Sequence, residues 1–166
     1  MDDPETLRFH ANGWMPNNPA LPVLVYRGAI PVGDPAAAEA LLERHGWRSD
    51  WRNGVYSFHH YHSTAHEALA CTGGFAELML GGEGGQPLTV SAGDLLVLPA
   101  GTGHCRLSAS GDFLLVGAYP EGQHWNICRS AADDETLMRI ATVPLPSADP
   151  IGGEAGPLTR LWGGGR

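Results

Sequence analysis

The chain has 166 residues, 43% of them hydrophobic, which is the size and composition of one ordinary globular domain with a buried core. Its formal net charge is −8 and its ten Lys and Arg residues form no run or stripe, so nucleic acid is not expected as a partner. No apolar stretch approaches the ~20 residues that span a bilayer, and the acidic start MDDPETLRFH does not resemble a signal peptide, so we expect a cytoplasmic protein that does not bind membranes.

The first third of the chain predicts an arm, a strand and a helix. The first twenty residues are rich in turn formers and predict an arm that wraps the domain. Residues 21–30 (LPVLVYRGAI) have the β-branched and aromatic content of a strand. Residues 35–45 predict a helix, because Asp34 suits the N-cap, Pro35 the first helical position and Gly46 the position that ends a helix.

From residue 55 onward the chain changes to short apolar runs separated by glycine turns. These runs predict strands at 55–62, 67–71, 75–80, 87–91, 95–98, 104–108 and 113–119. Their spacing is typical of an antiparallel barrel or sandwich. The GGEGG stretch at 81–85 predicts a hairpin loop. After Cys128 a short helix is predicted at 133–140, and the rest of the chain looks irregular.

Four of the eight histidines lie within the segment HHYHSTAH at 59–66, and Glu67 follows directly. Alternate residues of a strand point the same way, so His60 and His62 are expected to point into the barrel together. Glu67 opens the next predicted strand, and His104 joins from a later one. A lone histidine is usually solvated or packed in a core, but this set of four predicts a site for one divalent transition metal. Manganese, iron, nickel, cobalt and zinc all suit three imidazoles and a carboxylate.

Nine positions reproduce two sequence patterns of the cupin superfamily. The first pattern, G-x5-H-x-H-x4-E-x6-G, is matched in full by Gly54, His60, His62, Glu67 and Gly74. The second, G-x5-P-x-G-x2-H-x3-N, is matched by Gly93, Pro99, Gly101 and His104, with Ser108 in place of the final asparagine, which is not a metal ligand. The chain therefore resembles the cupins, and in particular short uncharacterised bacterial single-domain cupins.

The resemblance implies an all-β fold, a cupin jelly-roll β-barrel with a metal near its mouth. We expect a single domain over 1–166, with a barrel core at about 54–120, an N-terminal arm, strand and helix in 1–53, and a C-terminal extension in 121–166. One or two short peripheral helices are expected. Cupins include dioxygenases, isomerases, lyases, decarboxylases and non-catalytic binding proteins, so the resemblance does not choose a reaction.

Two further residues are predicted to act in the cavity. Arg106 shares the strand face of His104, so its guanidinium can hold a carboxylate through two hydrogen bonds; the alternative is an ion pair at the rim. Tyr56 shares the face of His60, and either Tyr56 or a metal-bound hydroxide is the candidate general base. A small carboxylate or enolisable organic molecule is therefore the expected ligand.

Several alternatives stay open at this point. His66 can replace Glu67 as a ligand if the turn before it is shorter than expected. Cys71 faces the site by strand parity, either as a reactive thiol or as a packed core residue. Residues 119–125 form either a lid or a contact with a partner subunit, and the strand at 21–30 can pair with a second copy, which predicts a homodimer.

Three kinds of function are compatible with these residues. The first is a metal-dependent enzyme, either a dioxygenase or an isomerase or lyase, in which the metal activates the substrate and Arg106 orients it. The second is a non-catalytic protein that binds or senses a small molecule. The third, a metal that only stabilises the fold, is disfavoured because three His and one Glu leave coordination positions open on an octahedral ion.

Overall fold

The computed structural model describes residues 1–163, and no helix among them is long and apolar enough to cross a membrane. The described residues form the strands β1 Glu5–Leu7, β2 Val23–Tyr26, β3 Trp47–Asn53, β4 Glu67–Gly73, β5 Phe75–Leu80, β6 Gln86–Ser91, β7 Leu95–Leu98, β8 His104–Ala109 and β9 Leu114–Pro120. The helices are α1 Pro35–Arg44, α2 Asp134–Thr142 and α3 Pro157–Gly163. A six-stranded antiparallel sheet has the order β1-β2-β7-β4-β9-β3, and a three-stranded sheet has the order β6-β5-β8.

The central strands of the six-stranded sheet, β2, β7, β4 and β9, are buried on both faces. One face packs against the smaller sheet through apolar side chains that include Leu69, Leu78 and Leu96. The other face packs against α1 and α3, where Leu42 and Trp162 are buried. Burial on both faces explains why β2 (VLVY) and β7 (LLVL) are continuous apolar runs without alternation. The predicted all-β jelly-roll architecture is confirmed.

The predicted first helix is also confirmed, with its cap. The Asp34 carboxylate accepts a hydrogen bond from the backbone N–H of Ala37 at 3.0 Å, and Pro35 is the first helical residue. Gly46 follows the helix with φ +81°, a conformation that a side chain disfavours.

Removing this cap is expected to destabilise the protein modestly. Asp34→Ala leaves the Ala37 N–H without its side-chain acceptor and should lower the free energy of unfolding by about 1 kcal/mol. Asp34→Asn keeps an acceptor oxygen and should change stability by only a few tenths of a kcal/mol. Urea denaturation of the two variants beside the wild type measures both values. Equal stability of all three proteins would show that the cap contributes nothing.

The predicted strand at 55–62 is wrong. This segment makes only two isolated bridges, His60 with His104 and Tyr61 with Cys128. The regular strand lies earlier, at β3, which pairs with β9 along the edge of the large sheet. Its sequence WRSDWRN is polar, and a register shift between Ser49 and Trp51 interrupts the alternation, so the apolar pattern that marks a half-buried strand is absent.

The sheet also extends beyond the expected core range of 54–120. The arm contributes the short strand β1, which pairs with β2, so three strands that precede residue 54 belong to the large sheet. Because β2 lies between β1 and β7, it has no free edge with which to pair with a second copy. The predicted contact through residues 21–30 is therefore wrong, and the homodimer itself stays a prediction.

The C-terminal segment is more ordered than its sequence indicated. The helix predicted at 133–140 is confirmed as α2, with Asp133 as its N-cap, but α3 is a third helix where an irregular tail was expected. The buried Asp149 carboxylate organises the residues between them, because it accepts hydrogen bonds from the Tyr26 hydroxyl and from the backbone N–H of Ile151, Gly152 and Leu158. Residues 164–166 of the predicted extension lie outside the described residues.

Candidate metal centre

Three buried histidines converge between the two sheets. His60 and His62 lie on the segment between β3 and β4, and His104 is the first residue of β8. One nitrogen from each ring lies within 4.8 Å of the others, so the three side chains can hold one metal ion. The backbones of His60 and His104 exchange two hydrogen bonds, at 3.3 and 3.0 Å. Further backbone hydrogen bonds from Gly101 to His62 and from Arg106 to Tyr56, together with the pairing of β4 and β7, bring the two motifs together.

The other ring nitrogen of each histidine is engaged by a backbone carbonyl. Nδ1 of His60 lies 3.0 Å from the Phe58 oxygen, and Nδ1 of His104 lies 3.0 Å from the Thr102 oxygen. Nδ1 of His62 contacts the Asn126 oxygen in the same way. A carbonyl oxygen can only accept, so each Nδ1 carries a proton, and in the neutral ring Nε2 then keeps its lone pair. This is the form in which imidazole binds a metal through Nε2.

Glu67 lies against two of these nitrogens. Its Oε2 is 3.3 Å from Nε2 of His62, and its Oε1 is 3.3 Å from Nε2 of His104. The Tyr119 hydroxyl donates to Oε2 at 2.5 Å, whereas Oε1 is buried and receives no hydrogen bond from residues 1–163. Three converging imidazole nitrogens and a buried carboxylate oxygen without a hydrogen bond are donor types that a divalent transition metal takes.

The pKa shifts of His60 and Glu67 favour the forms that bind a metal, whereas that of His62 runs the other way. Burial, followed by the neighbouring His104, lowers the pKa of His60 to about 3, so its imidazole is neutral near pH 7. Burial alone would raise the pKa of Glu67, but His62 and His104 outweigh it and hold this pKa well below its usual range. Burial likewise opposes the charged form of His62, yet Glu67 raises its pKa overall. The raised pKa of His62 reflects the negative charge of Glu67, which a bound cation would balance instead.

A cavity of about 540 Å³ opens beside these residues, and Arg106 lines it. The register shift in β8 falls at Leu107, beyond the stretch from His104 to Arg106, so the expected alternation between these two residues is kept. Among residues 1–163, no carboxylate forms an ion pair with the Arg106 guanidinium. The rim ion pair considered as its alternative role is therefore absent, and the guanidinium is available to a ligand.

Tyr56 also lines the cavity, at its exposed edge. Its ring stacks on Phe58 with centroids 4.8 Å apart and meets the His60 ring edge-on at 5.3 Å. The side chain is 46% exposed, and its hydroxyl makes no hydrogen bond within the described chain. The phenol therefore lies within reach of a bound ligand, while its role as a base stays a prediction.

The side chains that hold Glu67 in place were not predicted from the sequence. Trp51 donates from its indole Nε1 to the Tyr119 hydroxyl at 2.8 Å, and Tyr119 in turn donates to Glu67. The indole lies directly over Gly117, where an added Cβ would come within 2.1 Å of it. Tyr119 could have been found from the predicted strand at 113–119, because it alternates with Leu115 and Gly117. Trp51 could not, because its strand was not predicted.

Burial and contacts decide the alternatives for His66 and Cys71. His66 is not a ligand of this site: its Nδ1 accepts from the Ala100 N–H at 2.9 Å, and its ring packs on Trp162 at 4.9 Å. Cys71 is a packed core residue, and burial raises the pKa of its thiol to about 11. On the segment after β9, Trp125 lines the cavity with its ring centroid 5.9 Å from that of His62, and both the lid and the partner contact stay predictions.

Loss of the Tyr119 hydroxyl is expected to weaken metal binding. Tyr119→Phe removes the hydrogen bond that orients Glu67, and outer hydrogen bonds of this kind contribute 10- to 100-fold to metal affinity, so we expect a loss of about tenfold. Competition titration with a chelating dye measures the affinity for Zn²⁺. Tyr61→Phe is the matched control, because Tyr61 is a buried tyrosine that donates to the Ser130 carbonyl away from the cavity. An unchanged Zn²⁺ affinity in Tyr119→Phe would show that the Tyr119 hydroxyl does not orient Glu67 for metal binding.

Comparison with known proteins identifies a curated relative. No family model matches the chain. The uncharacterized protein YjlB of Bacillus subtilis is 38% identical over 160 residues, which cover 95% of this chain and 96% of YjlB. The chain belongs to the YjlB family. With both cupin motifs meeting in a two-sheet barrel, this YjlB relative has the cupin fold.

Solved structures show weaker similarity. A DUF861 family protein from Thermotoga maritima is 22% identical, with a TM-score of 0.38 over 57% of this chain and 96% of that one. Oxalate decarboxylase OxdC of Bacillus subtilis is 16% identical, with a TM-score of 0.38 over 81% of this chain and 36% of that one. Neither similarity bears on the activity of this YjlB family member.

Proposed function

We propose that this protein is a metal-dependent enzyme that acts on a small carboxylate or an enolisable organic molecule. One divalent transition metal per chain would be bound by His60, His62, Glu67 and His104. The observation that supports the proposal is the meeting of three buried imidazoles and one buried carboxylate oxygen that has no hydrogen bond within residues 1–163, beside a cavity. These four ligands leave positions open on an octahedral ion, and manganese, iron, nickel, cobalt and zinc all tolerate the set.

The residues of the chain have separate roles in this proposal. A bound metal would supply Lewis acidity toward a substrate oxygen and, if it is iron, redox chemistry with dioxygen. Arg106 would hold the substrate carboxylate through two parallel N–H···O bonds. The apolar side chains of Leu69 and Trp51 keep water from that part of the cavity and so strengthen the charge interactions within it. The Tyr56 hydroxyl would accept or return a proton of the substrate.

A non-catalytic ligand-binding protein is the second candidate. It is favoured by the scarcity of free bases in the cavity, because both carboxylates that line it already have partners. Asp50 accepts from the Trp125 indole and pairs with Arg48, and Glu67 contacts two histidines and Tyr119. Among the cavity-lining side chains of residues 1–163, the exposed Tyr56 phenol is the remaining candidate for proton transfer.

Elemental analysis separates these candidates when it is combined with activity assays. Protein purified without a chelating tag is analysed for metals, and dioxygen uptake is followed with small thiols, diketones and hydroxy acids. About one iron per chain with dioxygen uptake would support a dioxygenase, whereas another metal with turnover but no uptake would support an isomerase or lyase. A bound metal and bound ligand without turnover would support the second candidate. Failure to bind any of the five metals after reconstitution would overturn the proposal.

A further inference from the structure

Two exposed aromatic rings lie beside the imidazoles of the candidate metal centre. The Tyr56 ring centroid is 5.3 Å from that of His60, and the Trp125 ring centroid is 5.9 Å from that of His62. Tyr56 is 46% exposed and Trp125 is 36% exposed, and both line the cavity. A ligand that reaches the metal centre therefore passes aromatic surface that is still in contact with water.

Both rings are held in place by further contacts. Tyr56 stacks on Phe58, and the guanidinium carbon of Arg129 lies 3.7 Å from the centre of the Phe58 ring. Trp125 donates from its indole to Asp50 at 2.7 Å and lies nearly parallel to the ring of Tyr119, with centroids 6.4 Å apart. Rings that are already ordered lose little conformational entropy when a ligand packs against them.

The charges in the cavity complement these apolar surfaces. Asp50 is engaged by Trp125 and by Arg48 at 2.9 Å, so its negative charge is balanced within the protein. Arg106, in contrast, has no ion pair with any residue in 1–163 and offers its full charge to a ligand. The cavity thus combines the Arg106 guanidinium, which has no ion pair within residues 1–163, with three imidazoles and exposed aromatic side chains.

We propose that the ligand is a carboxylic acid that carries an aromatic ring, with its carboxylate on Arg106 and its ring packed against Tyr56 or Trp125. This inference rests on the proposed function and names the substrate class of the same site. A carboxylic acid with no apolar group would leave both rings exposed to water, whereas an aryl group would bury their apolar surface. An aryl group also makes ring–ring contacts that a saturated group of similar size does not make. A volume of about 540 Å³ suits a molecule of this size.

The test compares three simple acids on the cobalt-loaded protein. Acetate, cyclohexylacetate and phenylacetate share a carboxylate, and the last two have similar volumes but differ in the ring. Binding is followed by the visible absorption of Co²⁺ and by calorimetry. Phenylacetate is expected to bind about fivefold more tightly than cyclohexylacetate, and acetate is expected to bind most weakly.

Two variants and a control test which ring causes the preference for phenylacetate over cyclohexylacetate. Tyr56→Leu and Trp125→Leu are each made, and cobalt stoichiometry and thermal unfolding show that they are folded. At least one of them should bind phenylacetate and cyclohexylacetate equally. Phe75→Leu is the control, because Phe75 is an exposed aromatic residue, 58% accessible, that does not line the cavity; it should keep the fivefold preference.

The outcomes distinguish this inference from the proposed function. Equal binding of phenylacetate and cyclohexylacetate to the wild type, or an unchanged preference in both leucine variants, would overturn the aromatic ligand class and leave a carboxylate-binding metal site standing. Absence of binding by any carboxylate to the cobalt-loaded protein would overturn the proposed substrate class and this inference together.

Discussion

Replacing His104 with alanine is expected to lower the affinity for Co²⁺ or Zn²⁺ by at least about 100-fold. The residue supplies one of three converging imidazoles, and even the outer hydrogen bonds of a metal site contribute 10- to 100-fold. The substitution also removes the imidazole nitrogen that lies 3.3 Å from Oε1 of Glu67. Competition titration against a chelating dye measures the affinity, and elemental analysis measures the metal retained after dialysis.

The matched control for this prediction is His124→Ala. His124 is exposed, does not line the cavity and lies on the same segment as Trp125, so its loss should leave one metal per chain. Circular dichroism of both variants checks that the barrel is intact. Stoichiometric, tightly held metal in His104→Ala would contradict the ligand set of His60, His62, Glu67 and His104.

The second large effect is expected at Arg106, and it separates ligand binding from metal binding. Arg106→Ala should leave the metal content unchanged, because the guanidinium is not among the converging donors. It should weaken binding of carboxylates about 30-fold, since a charge-assisted hydrogen-bonded pair in a sheltered cavity contributes ~2 kcal/mol. Calorimetric titration of the metal-loaded protein with phenylacetate measures the change.

Two further variants define the role of Arg106. Arg106→Lys keeps the charge but not the planar fork, so its affinity should lie between those of wild type and Arg106→Ala. Arg44→Ala, at the exposed end of α1, removes an equal charge far from the cavity and should have no effect. If Arg106→Ala binds carboxylates as tightly as wild type, the ligand is held by other groups and the proposed role of this residue is wrong.

The site illustrates how a correct grouping of residues can follow from an incorrect local structure. His60 and His62 were expected to share the face of a strand at 55–62, yet they lie on an irregular segment. They still converge, because one bridge to His104 and one from Tyr61 to Cys128 set the backbone. The carbonyls of Phe58 and Asn126 then orient the two rings. Spacing in the sequence predicted the grouping, whereas contacts from distant segments produce it.

The contrast between β3 and α1 shows what local sequence can reveal. Helix α1 was predicted within one residue, because its cap, its proline and its terminating glycine act over a few neighbouring positions. Strand β3 is polar, bulged and at a sheet edge, and it is held by pairing with β9 more than sixty residues later in the chain. No local pattern reports such a pairing.

The sequence by itself determined the fold class and the residues of both cupin motifs, because glycine turns, apolar runs and the spacing of the histidines are local properties of the chain. Only the tertiary structure decided what surrounds Glu67 and what closes the cavity. Tyr119, Trp51 and Trp125 approach the site from β9, β3 and the segment after β9, through hydrogen bonds and ring contacts between residues far apart in the chain. Such contacts depend on which strands become neighbours, and strand order is set by packing of the whole barrel.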